Sequence, residues 1–253
     1  LLDMCAEADM FAVIAFRTGP GRTKYNYWGG YAAAEDAGAL DYYTSSVWPS
    51  QETQDAWVEM WRYTAERYRD NPIIVGYELM IEANSNCAEN NDGSFVAGRE
   101  IWDPEEFYDA FSGTLLDWNQ LYPRITEAIR EVDTDTPIII GGNAWNNVDW
   151  RPYVEPTDDT RTVYAIHQYE PIWFTHSWPA DDEGNFDVEY PTMRDMDWNG
   201  EDDLVDIRWM ENYFSPIEDF IAPHDVSVAT TEFGCTRWSP GAAQFLDDEM
   251  SLF

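Results

Sequence analysis

The sequence predicts an α/β protein built on a (β/α)8 barrel, also called a TIM barrel, and three observations support this prediction. Short apolar runs of strand length alternate along the chain with longer amphipathic segments of helical length. Strands that are apolar at nearly every position indicate a parallel sheet covered on both faces. Polar residues of catalytic type follow most of these runs, and barrel enzymes gather their functional side chains at the carboxyl ends of the strands.

A doubly wound sheet explains the same alternation of strands and helices and is the alternative architecture. Proteins of that kind commonly bind nucleotides through a glycine-rich loop after the first strand. No G-x-G-x-x-G or Walker sequence follows any of the apolar runs in this chain. This absence argues against a doubly wound sheet that binds a nucleotide, and the barrel is preferred.

Strands are predicted from short runs of apolar and β-branched residues. They cover residues 11–16, 73–82, 137–142, 162–169 and 226–234. A closed barrel of this type needs about eight strands. We therefore expect an incomplete barrel of about five βα units. The sequence contains no internal repeat and no low-complexity linker, so it predicts a single domain over residues 1–253.

Long amphipathic segments between the strands predict helices. They cover residues 50–70, 103–133 and 201–224, and one more helix begins near the end of the chain. Ser50 is expected to cap the first of these helices, and Pro72 follows its end. Pro123 predicts an irregularity in the second helix, and another proline predicts one in the third. Residues 84–100 and 176–200 are expected to form loops.

The acidic excess is the most unusual bulk property of the chain. It has 49 acidic and 14 basic residues, a net charge of -35, and Lys24 as its single lysine. Such a charge repels nucleic acids and anionic membranes, so both are poor candidates as partners. We interpret the charge as adaptation to high salt, because dissolved ions screen the self-repulsion. Adaptation to low pH and an ordinary acidic secreted protein are the alternatives.

The chain shows no sign of a membrane span, a metal site or a cofactor site. No apolar run approaches the roughly 18 residues that a transmembrane helix needs. The first residues, LLDMCAEADM, contain neither an initiator methionine nor a basic leader, so we expect upstream sequence, including a signal peptide, to be missing from a secreted protein. The 3 cysteines and 3 histidines match no metal-binding spacing.

Two glutamates are the candidates for chemistry. Glu82 ends the second predicted strand, and Glu232 lies near the end of the last one. A carboxylate at the end of an apolar strand is partly withdrawn from water, which suits a general acid. Glycoside hydrolysis needs two carboxyl groups, one to protonate the leaving oxygen and one to attack the anomeric carbon. A strand-end carboxylate solvated by the following loop is the alternative for each residue. Glu78 is predicted to be an internal ion-pair partner.

His167 and Tyr169 alternate on one face of the fourth predicted strand, so both are expected to point into the barrel mouth. Several of the 13 tryptophans follow strands, among them Trp145, Trp173 and Trp238. Aromatic faces stack on the flat, partly apolar faces of sugar rings, which indicates a carbohydrate-binding groove. Core packing is the commoner fate of an individual tryptophan and is the alternative.

The strand ends resemble those of glycoside hydrolase family 5, the cellulase and mannanase family of clan A. The segment IVGYELMIEA (74–83) resembles the strand-four motif of that family, which places Glu82 at the acid/base position. The segment VATTEFG (228–234) resembles its strand-seven motif, which places Glu232 at the nucleophile. The resemblance implies a retaining hydrolase of β-linked polysaccharide or oligosaccharide, with β-1,4-glucan or mannan as the first candidates.

Three further segments carry the resemblance. AIHQY (165–169) matches the family's His-x-Tyr motif, FTHSW (174–178) is similar to a Thr-His stretch, and VIAFRTGPG (13–21) is similar to the strand-three segment. We therefore expect the catalytic residues to be surrounded by substrate-binding residues and no metal. The predicted substrate-binding residues are Arg17, Asn84, Asn143, Trp145, His167, Tyr169, Trp173, His176 and Trp238.

The chain departs from the family pattern at three positions. Ile81 stands where the family has an asparagine that binds the substrate 2-hydroxyl, and Ala83 replaces a proline. Arg17 stands where the strand-three histidine is expected. On this alignment the five strands are strands three to seven, so we expect a barrel truncated at both ends or a divergent subfamily. A clan A hydrolase of xylan or galactan and a non-catalytic carbohydrate-binding barrel are the alternatives.

The acidic composition predicts that folding depends on salt. At roughly 1 M salt the Debye length is only ~3 Å, so most repulsion between surface carboxylates is screened. We expect far-UV circular dichroism to show unfolding when the protein is dialysed from molar salt into dilute buffer. Full structure and full activity without salt would contradict this prediction.

Overall fold

Five parallel strands form the main sheet of the protein. The computed structural model describes residues 1–181, 183–196 and 199–253. Its strands are β1 (Ala12–Ala15), β2 (Ile74–Glu78), β3 (Ile138–Gly141), β4 (Thr162–Gln168), β5 (Thr192–Arg194), β6 (Asp203–Val205) and β7 (Ser227–Phe233). The main sheet has the order β1-β2-β3-β4-β7, and β5 pairs with β6 in a separate antiparallel hairpin. This parallel half-barrel confirms the prediction of an incomplete (β/α)8 barrel.

Helices precede, connect and follow the strands of the main sheet. They are α1 (Leu2–Glu7), α2 (Gly30–Asp36), α3 (Gln51–Tyr68), α4 (Pro104–Phe111), α5 (Trp118–Arg130), α6 (Asn143–Asn146), α7 (Ile172–Thr175), α8 (Ile207–Tyr213), α9 (Ser215–His224) and α10 (Ala242–Leu252). Short 3-10 turns cover Lys24–Tyr27, Leu40–Tyr42, Ser85–Cys87 and Val148–Tyr153. Among the described residues, no helix has both the length and the apolar character needed to cross a bilayer.

The predicted second strand is too long at its carboxyl end. It was expected over 73–82, but β2 stops at Glu78, which is paired with Ile139. The chain then turns, and Glu82 has a left-handed φ of 56°. Glu82 therefore lies in a turn beyond the strand rather than on it, because a left-handed residue cannot continue a strand.

Two of the predicted helices are interrupted. The segment 103–133 divides into α4 and α5, because Asp117 accepts a hydrogen bond from Asn119 N at 2.9 Å and starts a new helix. Helix α5 continues through Pro123 without a break. The segment 201–224 begins with β6 and then forms α8 and α9. The predicted loop 176–200 contains β5, and its residues 182, 197 and 198 lie outside the described residues.

Helix α3 packs on the outer face of the sheet and holds the loops that carry the functional residues. Ser50 caps it by accepting a hydrogen bond from Thr53 N, as predicted. The side chains of Trp57 and Trp61 are fully buried one turn apart. Trp61 Nε1 donates to Leu79 O at 2.8 Å, and Trp57 Nε1 donates to Pro20 O at 2.6 Å. One helix therefore fixes the segments after β1 and after β2.

Helix α10 carries a buried carboxyl group. The side chain of Glu249 is fully buried, and neither of its oxygens has a hydrogen-bond partner among the described residues. Burial raises the pKa of Glu249 from 4.5 to about 8. The folded protein therefore holds a proton at neutral pH that the unfolded chain releases at a lower pH.

This raised pKa predicts how stability depends on pH. Between about pH 4.5 and pH 8 the folded state binds more protons than the unfolded state, so the free energy of unfolding falls as the pH rises. Glu249→Gln, which stays neutral, should be more stable than the native protein at pH 8 and nearly equal to it at pH 5. Urea unfolding at constant salt measures the difference, with the exposed Glu66→Gln as control. An equal difference at both pH values would contradict the prediction.

Candidate active site

Side chains from four strands of the main sheet meet at its carboxyl edge. Arg17 follows β1, Glu82 lies in the turn after β2, His167 is in β4 and Glu232 is in β7. The register places His167 beside Glu232 on neighbouring strands. Because parallel strands end at the same edge of a sheet, residues distant in the chain are brought into contact there.

Arg17 bridges the two glutamates. Its Nη1 donates to Glu82 Oε2 at 2.7 Å, and its Nη2 donates to Glu232 Oε1 at 2.9 Å. The ring of Tyr27 lies under the guanidinium, 4.8 Å from ring centroid to Arg17 Cζ. The planar guanidinium fixes the spacing of its two nitrogens, so this bridge constrains the separation of the two carboxylates.

His167 lies between the same two carboxylates and is 1% exposed. Its Nδ1 lies 3.2 Å from Glu82 Oε1 and 3.5 Å from Glu232 Oε2. One carboxylate oxygen of each glutamate and one His167 nitrogen all lie within 4.8 Å of one another. These groups have the donor types of a metal site, but Arg17 already places a positive charge between the two carboxylates.

Glu78 lies beneath this cluster, at the end of β2. Its Oε1 is 3.9 Å from His167 Nε2, which is the internal pairing expected from the sequence. Burial raises the pKa of Glu78, and the charge of His167 opposes that shift. Among the described residues, neither Glu78 Oε1 nor His167 Nε2 has a hydrogen-bond partner. Glu78 therefore faces His167 from the side opposite to Glu82.

Tyr169 contacts Glu232 directly. Its hydroxyl group donates to Glu232 Oε2 at 3.3 Å, and its ring meets the edge of His176 at a centroid distance of 5.0 Å. Burial, and then the negative charge of Glu232, raise the pKa of Tyr169 to about 12. Tyr169 therefore remains a protonated hydrogen-bond donor throughout the neutral range.

Arg22 is a site residue that the sequence analysis missed. Its side chain is buried and donates to Ile81 O at 2.9 Å, to Glu82 O and to Asn84 Oδ1. It also donates to Arg17 O at 2.9 Å. The one signal in the sequence is its place directly after the Gly19-Pro20-Gly21 turn, which does not reveal a contact with residues 60 positions away.

Some of the predicted substrate-binding residues have structural contacts instead. Asn84 donates to Asn26 O at 2.6 Å and accepts from Arg22, which holds the turn after Glu82. Asn143 is fully buried, and its Oδ1 accepts from Ser85 N at 2.9 Å. Trp173 donates to Met196 Sδ and borders a separate cavity. The structure therefore does not bring these three residues to the carboxylate pair.

An aromatic cavity of about 350 Å³ opens beside Glu82. Trp145 forms one wall and stacks on Trp102, with ring centroids 5.4 Å apart and planes 15° from parallel. Trp145 N donates to Ala83 O at 3.0 Å, which links this wall to the turn that carries Glu82. His167, Tyr169 and His176 line the same cavity. Trp102 was not predicted.

A second cavity of about 710 Å³ continues beyond His176, which lines both. Its walls include Trp178 and Trp238, whose side chains are largely exposed. The guanidinium of Arg237 lies over the Trp238 ring, 3.9 Å from its centroid. Exposed aromatic rings in a cavity that shares His176 with the one beside Glu82 offer stacking surfaces for sugar rings.

Two close carboxyl groups at a barrel rim, beside an aromatic groove, are the arrangement of enzymes that hydrolyse glycosidic bonds. The model of the family described as Cellulase (glycosyl hydrolase family 5) matches residues 1–249. The chain therefore belongs to glycoside hydrolase family 5, and the resemblance seen in the sequence is confirmed.

The curated relatives are longer proteins. Endoglucanase C of Acetivibrio thermocellus is 28% identical over 136 residues, which are 54% of this chain and 32% of the relative. An endoglycoceramidase of Cyanea nozakii is 25% identical over 178 residues, which are 68% of this chain and 31% of the relative. The chain thus spans about a third of the length of these relatives.

Solved structures show the same fold. A glycoside hydrolase superposes with a TM-score of 0.65 and 20% identity over 99% of this chain and 64% of its own. Cel5A of Thermotoga maritima in complex with mannotriose gives a TM-score of 0.59 and 18% identity over 99% of this chain and 77% of its own. At these identities the likeness shows the fold alone.

The contact between Tyr169 and Glu232 predicts a change in titration. Glu232→Gln removes the negative charge, so the pKa of Tyr169 should fall from about 12 but stay above 10, because burial is the larger cause of the shift. Carbon-13 NMR of labelled tyrosine at pH 11 should therefore show a larger ionised fraction of Tyr169 in Glu232→Gln than in the native protein, with Tyr169→Phe to assign the signal.

Glu218→Gln, an exposed change on α9, is the control and should leave the Tyr169 signal unchanged. If Glu232→Gln leaves it unchanged as well, the two side chains are not in contact in solution.

Proposed function

We propose that this protein is a retaining hydrolase of β-linked polysaccharide or oligosaccharide. The separation of Glu82 and Glu232 is the observation that carries the proposal, since oxygens of the two groups lie within 4.8 Å. Retaining enzymes hold their two carboxyl groups roughly 5–5.5 Å apart, whereas inverting enzymes leave roughly 6.5–9.5 Å for a water molecule. The short separation supports a double displacement.

Glu232 is proposed as the nucleophile. It is the more exposed of the two carboxylates, at 29% of its side chain, and it lies near the end of β7. Arg17 and Tyr169 both donate hydrogen bonds to its oxygens. Donors of this kind stabilise a negative charge on the carboxylate, which an attack on the anomeric carbon requires.

Glu82 is proposed as the acid/base. It is 13% exposed and lines the aromatic cavity, where the departing sugar has space beside Trp145. In the first step its carboxyl group gives a proton to the leaving oxygen. In the second step its carboxylate takes a proton from the water that releases the sugar from Glu232. His167 Nδ1, 3.2 Å away, orients the carboxyl group between these steps.

Arg17 is proposed to contribute to substrate binding as well as to the spacing of the pair. The half-buried side chain of Ile81 carries no group that hydrogen-bonds a sugar hydroxyl. The guanidinium of Arg17 has five N–H groups, and its two carboxylate bonds leave others available at the site. Arg17 is therefore the donor that we assign to the hydroxyl groups of the bound sugar.

The names of the relatives guide the proposed substrate. Endoglucanases dominate the matched proteins, and one similar structure holds mannotriose. We propose β-1,4-glucan or mannan as the polymer, with xylan or galactan as the alternatives; one relative is a β-xylosidase. The proposed groove includes Trp145, His176 and Trp238, which line the two cavities that share His176.

A carbohydrate-binding protein without activity is the second candidate, and the changes at Ile81 and Arg17 favour it. The paired carboxylates argue against it, because sugar binding alone does not require two charged groups held so close together. Adaptation to high salt is also part of the proposal and rests on the net charge of -35 and the single lysine. Secretion is proposed from membership of the family.

Azide distinguishes the two proposed roles. Glu232→Ala removes the nucleophile, so azide should enter the vacated space and convert an activated aryl β-glycoside into an α-glycosyl azide. Glu82→Ala should retain the first step with such a substrate and give a β-glycosyl azide. Proton NMR of the products identifies the anomeric configuration.

The exposed Glu218→Ala on α9 is the matched control and should form neither azide product. Wild-type turnover in Glu232→Ala, or products of inverted configuration from the unmodified enzyme, would contradict the assignment.

A further inference from the structure

Arg22 lies in a position that the local backbone fixes firmly. It follows a turn at Gly21, which has a φ of 63°, and it forms antiparallel bridges with Gly19 and Ser45. A Cβ atom at Gly21 would lie 2.4 Å from Thr53 Cγ2, so the turn requires glycine. The guanidinium of Arg22 is thereby directed under the turn that follows β2.

The hydrogen bonds of Arg22 are made to neutral acceptors on both sides of the Glu82 peptide. The acceptors are the carbonyl oxygens of Ile81, Glu82 and Arg17 and the amide oxygen of Asn84. No salt bridge to Arg22 is found among the described residues. Burial lowers its pKa, and the charge of Glu82 opposes that shift. Arg22 therefore acts on backbone geometry rather than as half of an ion pair.

Glu82 is the residue whose geometry needs such support. Its φ of 56° lies in the left-handed region, which a residue with a side chain adopts only when its surroundings hold it there. Loss of the bonds to the carbonyl oxygens of Ile81 and Glu82 removes the contacts made directly to the peptide groups on either side of the strained residue, so the turn can relax there. The Glu82 carboxyl group would then move away from Arg17 and His167, while Glu232 would keep its place on β7.

We propose that Arg22 is a positioning residue that holds Glu82 in the orientation needed to protonate the leaving oxygen. This inference rests on the proposed function, in which Glu82 is the acid/base. It predicts that loss of Arg22 impairs proton donation in particular, not hydrolysis in general. A change in the leaving group of the substrate separates these two effects.

The experiment measures kcat/KM for phenyl and 2,4-dinitrophenyl β-cellobioside in the complete natural polypeptide. The phenyl substrate needs a proton on its leaving oxygen, whereas 2,4-dinitrophenolate leaves without one. General acid catalysis contributes roughly 10²–10⁴-fold, so Glu82→Ala should lose about that much with the phenyl substrate and little with the other. Arg22→Met should show the same selectivity, with a loss of roughly 10²-fold.

Arg151 provides the matched control. It is also fully buried and also bonds a backbone carbonyl, Ala165 O, but it packs over Phe220, and its contacts within the described part of the chain do not involve Glu82. Arg151→Met should reduce the melting temperature without changing the ratio of the two rates. Arg22→Lys keeps the charge and one donor direction, so its kcat/KM for the phenyl substrate should lie between those of the wild type and Arg22→Met. This variant provides the test if Arg22→Met does not fold.

The outcomes separate this inference from the proposal on which it rests. If Glu82→Ala shows the selectivity and the folded Arg22 variants lose both rates equally, or neither, the positioning role of Arg22 is wrong and the role of Glu82 stands. If Glu82→Ala itself shows no selectivity, the proposed function is wrong and the inference fails with it.

Discussion

The carboxyl edge of this sheet depends on one electrostatic constraint, the close approach of two like charges. When both groups are ionised, two unit charges no more than 4.8 Å apart repel by at least about 3 kcal/mol at an effective dielectric constant of ~20. Arg17 offsets this repulsion by bonding to both carboxylates at once. His167 and Tyr169 contact the other oxygen of Glu82 and of Glu232, respectively, so the positions of the surrounding side chains follow from the need to hold the pair together.

The support for this cluster is layered from the core outward. Trp57 and Trp61 of α3 hold the segments after β1 and after β2 through hydrogen bonds to Pro20 O and Leu79 O. Arg22 then joins those two segments directly. The apolar packing of α3 therefore supports the carboxylates through the two backbone segments and Arg22. This support explains why Glu82, a turn residue with a left-handed backbone, keeps a defined orientation.

The sequence predicted the main strands within two residues at most ends, because buried parallel strands are continuous apolar runs. It also predicted that Glu82 and Glu232 lie close together, since the carboxyl ends of the strands converge at one rim of a barrel. It did not predict the left-handed turn at Glu82 or the burial of Arg22, because both arise from contacts between segments about 60 residues apart. The sequence did not predict the structural contact of Asn143 for a related reason. Its position after a strand gives no sign that its side-chain amide oxygen accepts a hydrogen bond from Ser85 N.

The hydrogen bond from Arg17 to Glu232 depends on the curvature of the main sheet. Arg17 follows β1 and Glu232 lies on β7, which are the two outermost strands of the main sheet among the described residues. Their side chains are hydrogen-bonded to each other across the mouth of the half-barrel, and this contact requires a strongly curled sheet. The distance between the carboxylates is therefore a gauge of sheet curvature. A substitution beneath β3, far from both carboxylates, would change their separation if it flattened that curve.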